Sequence, residues 1–266
     1  MNYFEQAVTY LTEQGVSRGL AITYIIVGCL LILMAIVALV MRIIVIVKYY
    51  KGNNRTIASG KTGIEVAREA LEKAGLSDVN VEKAGWLRAF FIGNCYSITR
   101  NTIYLRRNIA NEKTVTAVGL ALQKVGIAKM CKQGSGMAKT RNIAQILTLV
   151  GPILFIPVVL FGFVLDVLIF HTFGIFSIVG IIIGLILIIS GFVSTLLTLP
   201  VEKKANDIAL EIINETGVLT TEEKEIIVDI FKAYIIAYVC EFIIAVLRIV
   251  QIVLEIAMNN QINNKK

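Results

Sequence analysis

Four apolar runs, each long enough to cross a bilayer, constrain this chain more than any other feature. They cover roughly Ala21 to Val47, Ile146 to Phe170, Phe173 to Leu199 and Tyr234 to Met258. A hydrocarbon core about 30 Å thick needs about 20 apolar residues of helix, and each run supplies at least that. The first is too long for a signal-peptide core and has no small-residue cleavage site after it, so it reads as a retained helix. Pro152 and Pro157 lie inside the second run, where membrane helices tolerate a kink, and Pro200 is expected to end the third. The short link Phe170–Gly174 makes the second and third runs a tight antiparallel hairpin with His171 at its tip. The chain is 56% hydrophobic, beyond what a water-soluble domain ordinarily carries. The expected fold is therefore a mostly α-helical polytopic membrane protein with about four transmembrane helices and a small cytosolic α/β domain.

Basic residues set the orientation. Between Lys48 and Arg141 there are seventeen Lys or Arg against six Asp or Glu, a larger excess than the +7 of the whole chain. Positive charge near span ends stays cytosolic, and Arg42, Lys48, Lys51, Arg55, Lys139 and Arg141 are so placed. The terminal Lys265 and Lys266 oppose this slightly. The expected order is an N-terminal segment (1–20), transmembrane helix 1 (21–47), a cytosolic domain (48–144), a transmembrane hairpin of helices 2 and 3 (146–199), cytosolic helices (200–230), transmembrane helix 4 (231–258) and a polar tail (259–266). The expected location is the cell membrane, multi-pass, with the main domain cytosolic.

Chemistry is limited by what the chain lacks. It has one histidine, His171, which removes most His-based metal and acid–base chemistry. Its four cysteines, Cys29, Cys95, Cys131 and Cys240, follow no disulfide or zinc-ribbon spacing. They read as small apolar side chains.

Local signals organise the cytosolic parts. Thr62-Gly63-Ile64-Glu65 is a capping box opening a helix that stops at Gly75. Val79–Glu82, Cys95–Thr99 and Thr102–Arg106 alternate as short strands, with Arg100-Asn101 as a turn. A helix over 112–131 follows, with Val115, Val118, Leu122 and Val125 on one buried face. Gln123 and Ile127, four apart, share another face. Residues 133–141 read as a flexible basic linker. Val201–Thr216 reads as a helix closed by Gly217, and Thr220 and Glu223 open a last helix that runs into the fourth span.

The order of parts is the informative signal: one span, a small α/β domain, a helix carrying "ALQKVGIAK", a hairpin, then "TLPVEKKANDIAL" and a last span. On the stretches 59–82, 117–129 and 198–210 the chain resembles the bacterial YugP-type membrane zinc metallopeptidases. The resemblance covers most of residues 55–258. It implies a metallopeptidase-like domain whose helix would carry H-E-V-G-H, with two histidines one turn apart on zinc and a Glu activating the bound water. A third ligand, a Glu, would come from beyond the hairpin. Carried over residue by residue, the His, Glu and His positions are Gln123, Lys124 and Ile127, and the third-ligand position is Glu202. A family stretch of the Asp-His-Tyr-Asp-Pro kind corresponds to "WLRAFFIGNCYS" (86–97), which contains no His or Asp.

Gln is a very poor zinc ligand, Ile is none, and Lys124 puts a cation where the mechanism needs a base. The expectation is therefore no catalytic residue, no metal, no cofactor and no enzyme: a proteolytically inactive homologue, or pseudoprotease. Its groove would bind a protein or peptide partner, an active relative being one candidate. The binding residues expected are Glu202, Lys124, Glu241 and Arg248. Glu202 is open to two readings, a cap or solvated residue at a span end, or a salt bridge to Lys124.

Glu241, Arg248 and Glu255 recur every seven residues in the last span, with Gln251 nearby. Charges at that depth face protein or a water-filled cavity, so the stripe is either an internal network or a subunit interface. The alternatives in function are a scaffold or channel subunit using this stripe, in a homo- or hetero-oligomer, and an atypical hydrolase. The basic domain is expected to meet anionic membrane lipids. No nucleic-acid motif is present, so no nucleic-acid partner is expected.

Overall fold

The computed structural model describes residues 3–166 and 174–264. His171, Lys265 and Lys266 lie outside them. Nine helices and three strands follow one another among the described residues: α1 (Tyr3–Glu13), α2 (Arg18–Asn53), α3 (Gly63–Lys73), β1 (Asn80–Lys83), α4 (Trp86–Phe91), β2 (Cys95–Ser97), β3 (Thr102–Leu105), α5 (Arg107–Asn111), α6 (Val115–Lys132), α7 (Gly136–Val164), α8 (Ile175–Thr216) and α9 (Thr221–Asn263). The fold is thus mostly helical with a small mixed sheet. Three described helices are long and apolar enough to cross a membrane: Arg18–Asn53, Ile178–Thr216 and Thr221–Asn263.

The chain divides into two compact units, Met1–Ile44 with Ile236–Lys266, and Val45–Ile235. In the first, α1 packs Val8 against Val16 and Ala21 at the start of α2, with Met258 and Ile262 of α9 beside them. The Gln261 side chain accepts a hydrogen bond from the Ser17 amide at 2.8 Å. The charged stripe of α9 finds its partners inside this unit. Arg42 pairs with Glu241 at 3.3 Å, the Tyr24 hydroxyl donates to Glu255 at 3.1 Å, and Arg248 donates to Gln251 at 3.2 Å.

The second unit is built around α6. The sheet order is β1-β3-β2, with β1 parallel and β2 antiparallel to the central strand, so that Val81 and Tyr96 both pair with Ile103. The turn before β3 needs a left-handed residue, and Asn101 takes it at φ 49°, a conformation Asn tolerates better than most residues. The capping boxes form where expected. The Thr62 hydroxyl accepts from the Glu65 amide while Glu65 accepts from the Thr62 amide, and Thr220 and Glu223 repeat the pattern. Glu223 also accepts from the Ala58 amide at 2.8 Å, tying the start of α9 to the loop before α3.

Three sequence expectations change. Helix α6 is buried around almost its whole circumference, not on one face, because α3, α8 and the sheet cover it from different sides; such a helix is a core element. Residues 133–141 are not a linker throughout. The Ser135 hydroxyl caps α7, which starts at Gly136. Pro200 does not end a helix but sits inside α8; it lacks an N–H, so one helical bond is lost there without the helix stopping. At the other end of α8, Asp166 accepts from the Phe176 amide at 3.0 Å, an anion at a helix N-terminus, where the dipole favours it.

Candidate functional site

Three helices bring the site together. α6 presents Gln123, Lys124 and Ile127. The first turns of α7 present Arg141 and Asn142, and α8 presents Glu202 and, one turn on, Asn206. The close approach of α6 to α8 depends on Gly126. A Cβ built there would meet the Ala205 carbonyl oxygen at 2.6 Å and the Ala205 Cα at 3.2 Å. The glycine therefore serves helix–helix packing directly, with Gln123 and Lys124 before it and Ile127 after it along α6.

Glu202 is the centre. It is 1% exposed, and its Oε1 accepts from Arg141 Nη2 at 2.5 Å while Lys124 Nζ stands 3.6 Å away. Lys124 and Arg141 are each only 8% exposed. Beside this cluster the Gln123 amide donates to Asn206 Oδ1 at 2.7 Å, and Asn142 donates to the Tyr96 carbonyl of β2 at 2.8 Å. Three polar atoms of this site are buried without a hydrogen-bond partner: Glu202 Oε2, Arg141 Nε and Asn206 Nδ2. Burial pushes the Lys124 ammonium below the usual lysine range, and the Glu202 carboxylate opposes that shift while Arg141 adds to it. Burial also raises the Cys95 thiol, against the pull of Arg88, Lys124 and Arg141, so it stays protonated near neutral pH and is a poor nucleophile.

The structure thus brings Glu202 beside Lys124, with Gln123 next to them on Asn206, and buries Ile127, one turn on from Gln123, in the hydrophobic core. It places Glu241 and Arg248 in the other compact unit, on α9 with the partners described above. Arg141, the closest partner of Glu202, was read from sequence only as a basic residue near a span end and not as a site residue, because it closed a stretch that read as a linker. The signal that could have found it is its position one turn before the apolar run of the hairpin. Asn206 was quoted only as part of a longer stretch.

Zinc does not fit this donor set. The metal takes deprotonated Cys, neutral His or carboxylate ligands at about 2.0–2.3 Å. Ile127 offers no donor, Gln123 offers only a neutral amide oxygen while its nitrogen is bonded to Asn206, and the one carboxylate is shared by two cations. No group of three His, Cys, Asp or Glu side chains among the described residues could hold a metal ion. Purified protein is therefore expected to carry far less than one zinc per chain by elemental analysis. Stoichiometric zinc that disappears in Glu202→Gln would overturn this.

A profile of the family described as "Putative neutral zinc metallopeptidase" matches residues 24–257. A relative described as "Putative membrane protease YugP", from Bacillus subtilis (strain 168), is 25% identical over 201 residues, 74% of this chain and 81% of the relative. No solved structure matches. These findings overturn the expectation that the chain is not an enzyme: both point to a protease class, and neither bears a sign of inactivity. The missing H-E-x-x-H concerns three positions on one helix, whereas the match concerns nearly the whole length. With that length matched, the chain belongs to the family described as "Putative neutral zinc metallopeptidase".

Proposed function

We propose that this chain is a multi-pass membrane member of its family that binds a protein or peptide segment, with a salt-bridge clasp standing where relatives would carry zinc. The observation that carries the reading is the Lys124–Glu202–Arg141 cluster, which links α6, α7 and α8 through one carboxylate. A metal shared between helix and hairpin would hold these elements together; the ion cluster does so with side chains of the chain itself. The cluster itself is buried and its charges are met inside the chain; the excess of Lys and Arg over residues 48–141 is what favours a segment bearing a carboxylate, and it supports a cytosolic domain between about four spans, α7 being the one added to the three apolar helices above.

The scaffold or channel reading has less behind it. Glu241 and Glu255 already hold partners on α2, which accounts for their cost within one compact unit.

The test is fluorescence anisotropy of labelled peptides with the full chain in nanodiscs, comparing acidic peptides with neutral ones of equal length. Saturable binding of the acidic set, weakened by salt, is expected. Mass spectrometry of the recovered peptide reads binding and turnover in the same sample. The absence of saturable binding by any peptide would overturn the proposal.

A further inference from the structure

Helix α4 is the most exposed apolar feature of the second unit outside its long helices. None of its residues is buried. Trp86 is 75% and Phe90 71% exposed, with Leu87 and Phe91 beside them also open to the surroundings. These four fall at i, i+1, i+4 and i+5, on one side of the helix.

The other side is held down. Arg106 Nε donates to the Ala89 carbonyl at 3.0 Å, the Arg88 guanidinium stacks on the Tyr104 ring at 3.7 Å, and the Ala84 amide before the helix donates to the Leu105 carbonyl at 2.8 Å. Below the helix, Asn94 Oδ1 accepts from the Arg106 amide at 2.7 Å. The aromatic face is therefore presented on a rigid base, not on a frayed loop. Large apolar side chains held this way in water mark an interaction surface.

Two observations identify what covers it. The first is charge. Residues 83–111 contain Lys83, Arg88, Arg100, Arg106 and Arg107 and no Asp or Glu at all. The second is position. Asn142, on α7, donates to the Tyr96 carbonyl of β2, and the apolar run of α7 starts one turn later at Ile146. β2 begins four residues after α4 ends. The sheet edge next to α4 is thus fastened at the level where α7 passes from polar to apolar sequence.

We infer that α4 is a lipid-surface wedge: Trp86, Leu87, Phe90 and Phe91 insert into the interface of an anionic leaflet, and the net positive charge of residues 83–111 attracts its headgroups. Trp favours the interfacial zone, where its apolar ring and polar N–H are both satisfied. Basic charge and apolar insertion act together in such binding. The inference does not rest on peptide binding, and its test contains no peptide.

Trp86 is the chain's one tryptophan, so the full protein reports on α4 without a label. In nanodiscs containing anionic lipid, its emission is expected to be blue-shifted, protected from aqueous iodide, and quenched by lipids brominated near the headgroup more than by lipids brominated near the chain end. Replacing the anionic lipid with zwitterionic lipid should weaken that quenching, as should the variant Leu87→Glu with Phe90→Glu, whose sites are exposed and leave the core untouched. Red-shifted emission open to iodide in every lipid would overturn the inference. So would protection that follows protein density instead of lipid charge, which would assign the face to a second copy of the chain.

Discussion

Glu202→Gln is expected to lower stability by about 3–5 kcal/mol, the largest loss at any single position of the site. The residue is 1% exposed and is the anion that both Lys124 and Arg141 face at the cluster. Replacing it with a neutral amide of the same shape keeps the packing and removes the charge. Two cations then share a site from which water is nearly excluded, and each has lost the Coulomb attraction that offset its desolvation. Equilibrium unfolding in mixed micelles measures the loss. The same argument predicts a rescue. Lys124→Met, Arg141→Met and Glu202→Leu together remove all three charges, and buried ion clusters replaced by apolar residues of similar volume are often neutral or stabilising. The triple variant should therefore recover most of what Glu202→Gln loses, although each single change is harmful. Glu202→Gln within about 1 kcal/mol of the parent would show that the carboxylate is not what holds the two cations.

What the sequence made legible follows from how local each signal is. The two capping boxes, the left-handed glycines at 75 and 217 and the three strands could be read because their causes lie within a few residues. The site residues Gln123, Lys124, Ile127 and Glu202 came from resemblance, and their pairing was one of two open readings for Glu202. Arg141 was lost because glycine and serine around residue 135 mask a helix start: Ser135 acts as a cap there, not as linker material. Pro200 misled because its effect depends on tertiary support, and a helix packed against α6 and α7 continues through a missing hydrogen bond. Helix α6 looked amphipathic because Gln123 and Lys124 are polar, but both are buried against partners on α8 that lie some eighty residues away in the chain. The stretch 86–97 was read only for the His and Asp it lacks; neither helix α4 nor the exposure of its aromatic side chains was anticipated, since Trp and Phe usually point inward.

Gly126→Ala is expected to cost about 1–3 kcal/mol, even though alanine alone would favour the helix by about 1 kcal/mol over glycine. The added methyl would lie 2.6 Å from the Ala205 carbonyl oxygen and 3.2 Å from its Cα. Both are backbone atoms of α8, so no side-chain rotation relieves the contact. The helices must part, and the separation stretches the bonds that cross between them, Gln123 to Asn206 at 2.7 Å and the Lys124–Glu202 pair. Valine should do more damage than alanine. Because the obstacle is a carbonyl and not a methyl group, Ala205→Gly should give no rescue in the double variant, which separates this account from simple overpacking of side chains. Gly136→Ala is the matched control: nothing lies within 4 Å of its built Cβ, and it should be neutral or slightly stabilising. Parent-like unfolding of Gly126→Ala, or full rescue by Ala205→Gly, would show that the two helices have room to spare, and the ion cluster could not then owe its geometry to their close approach.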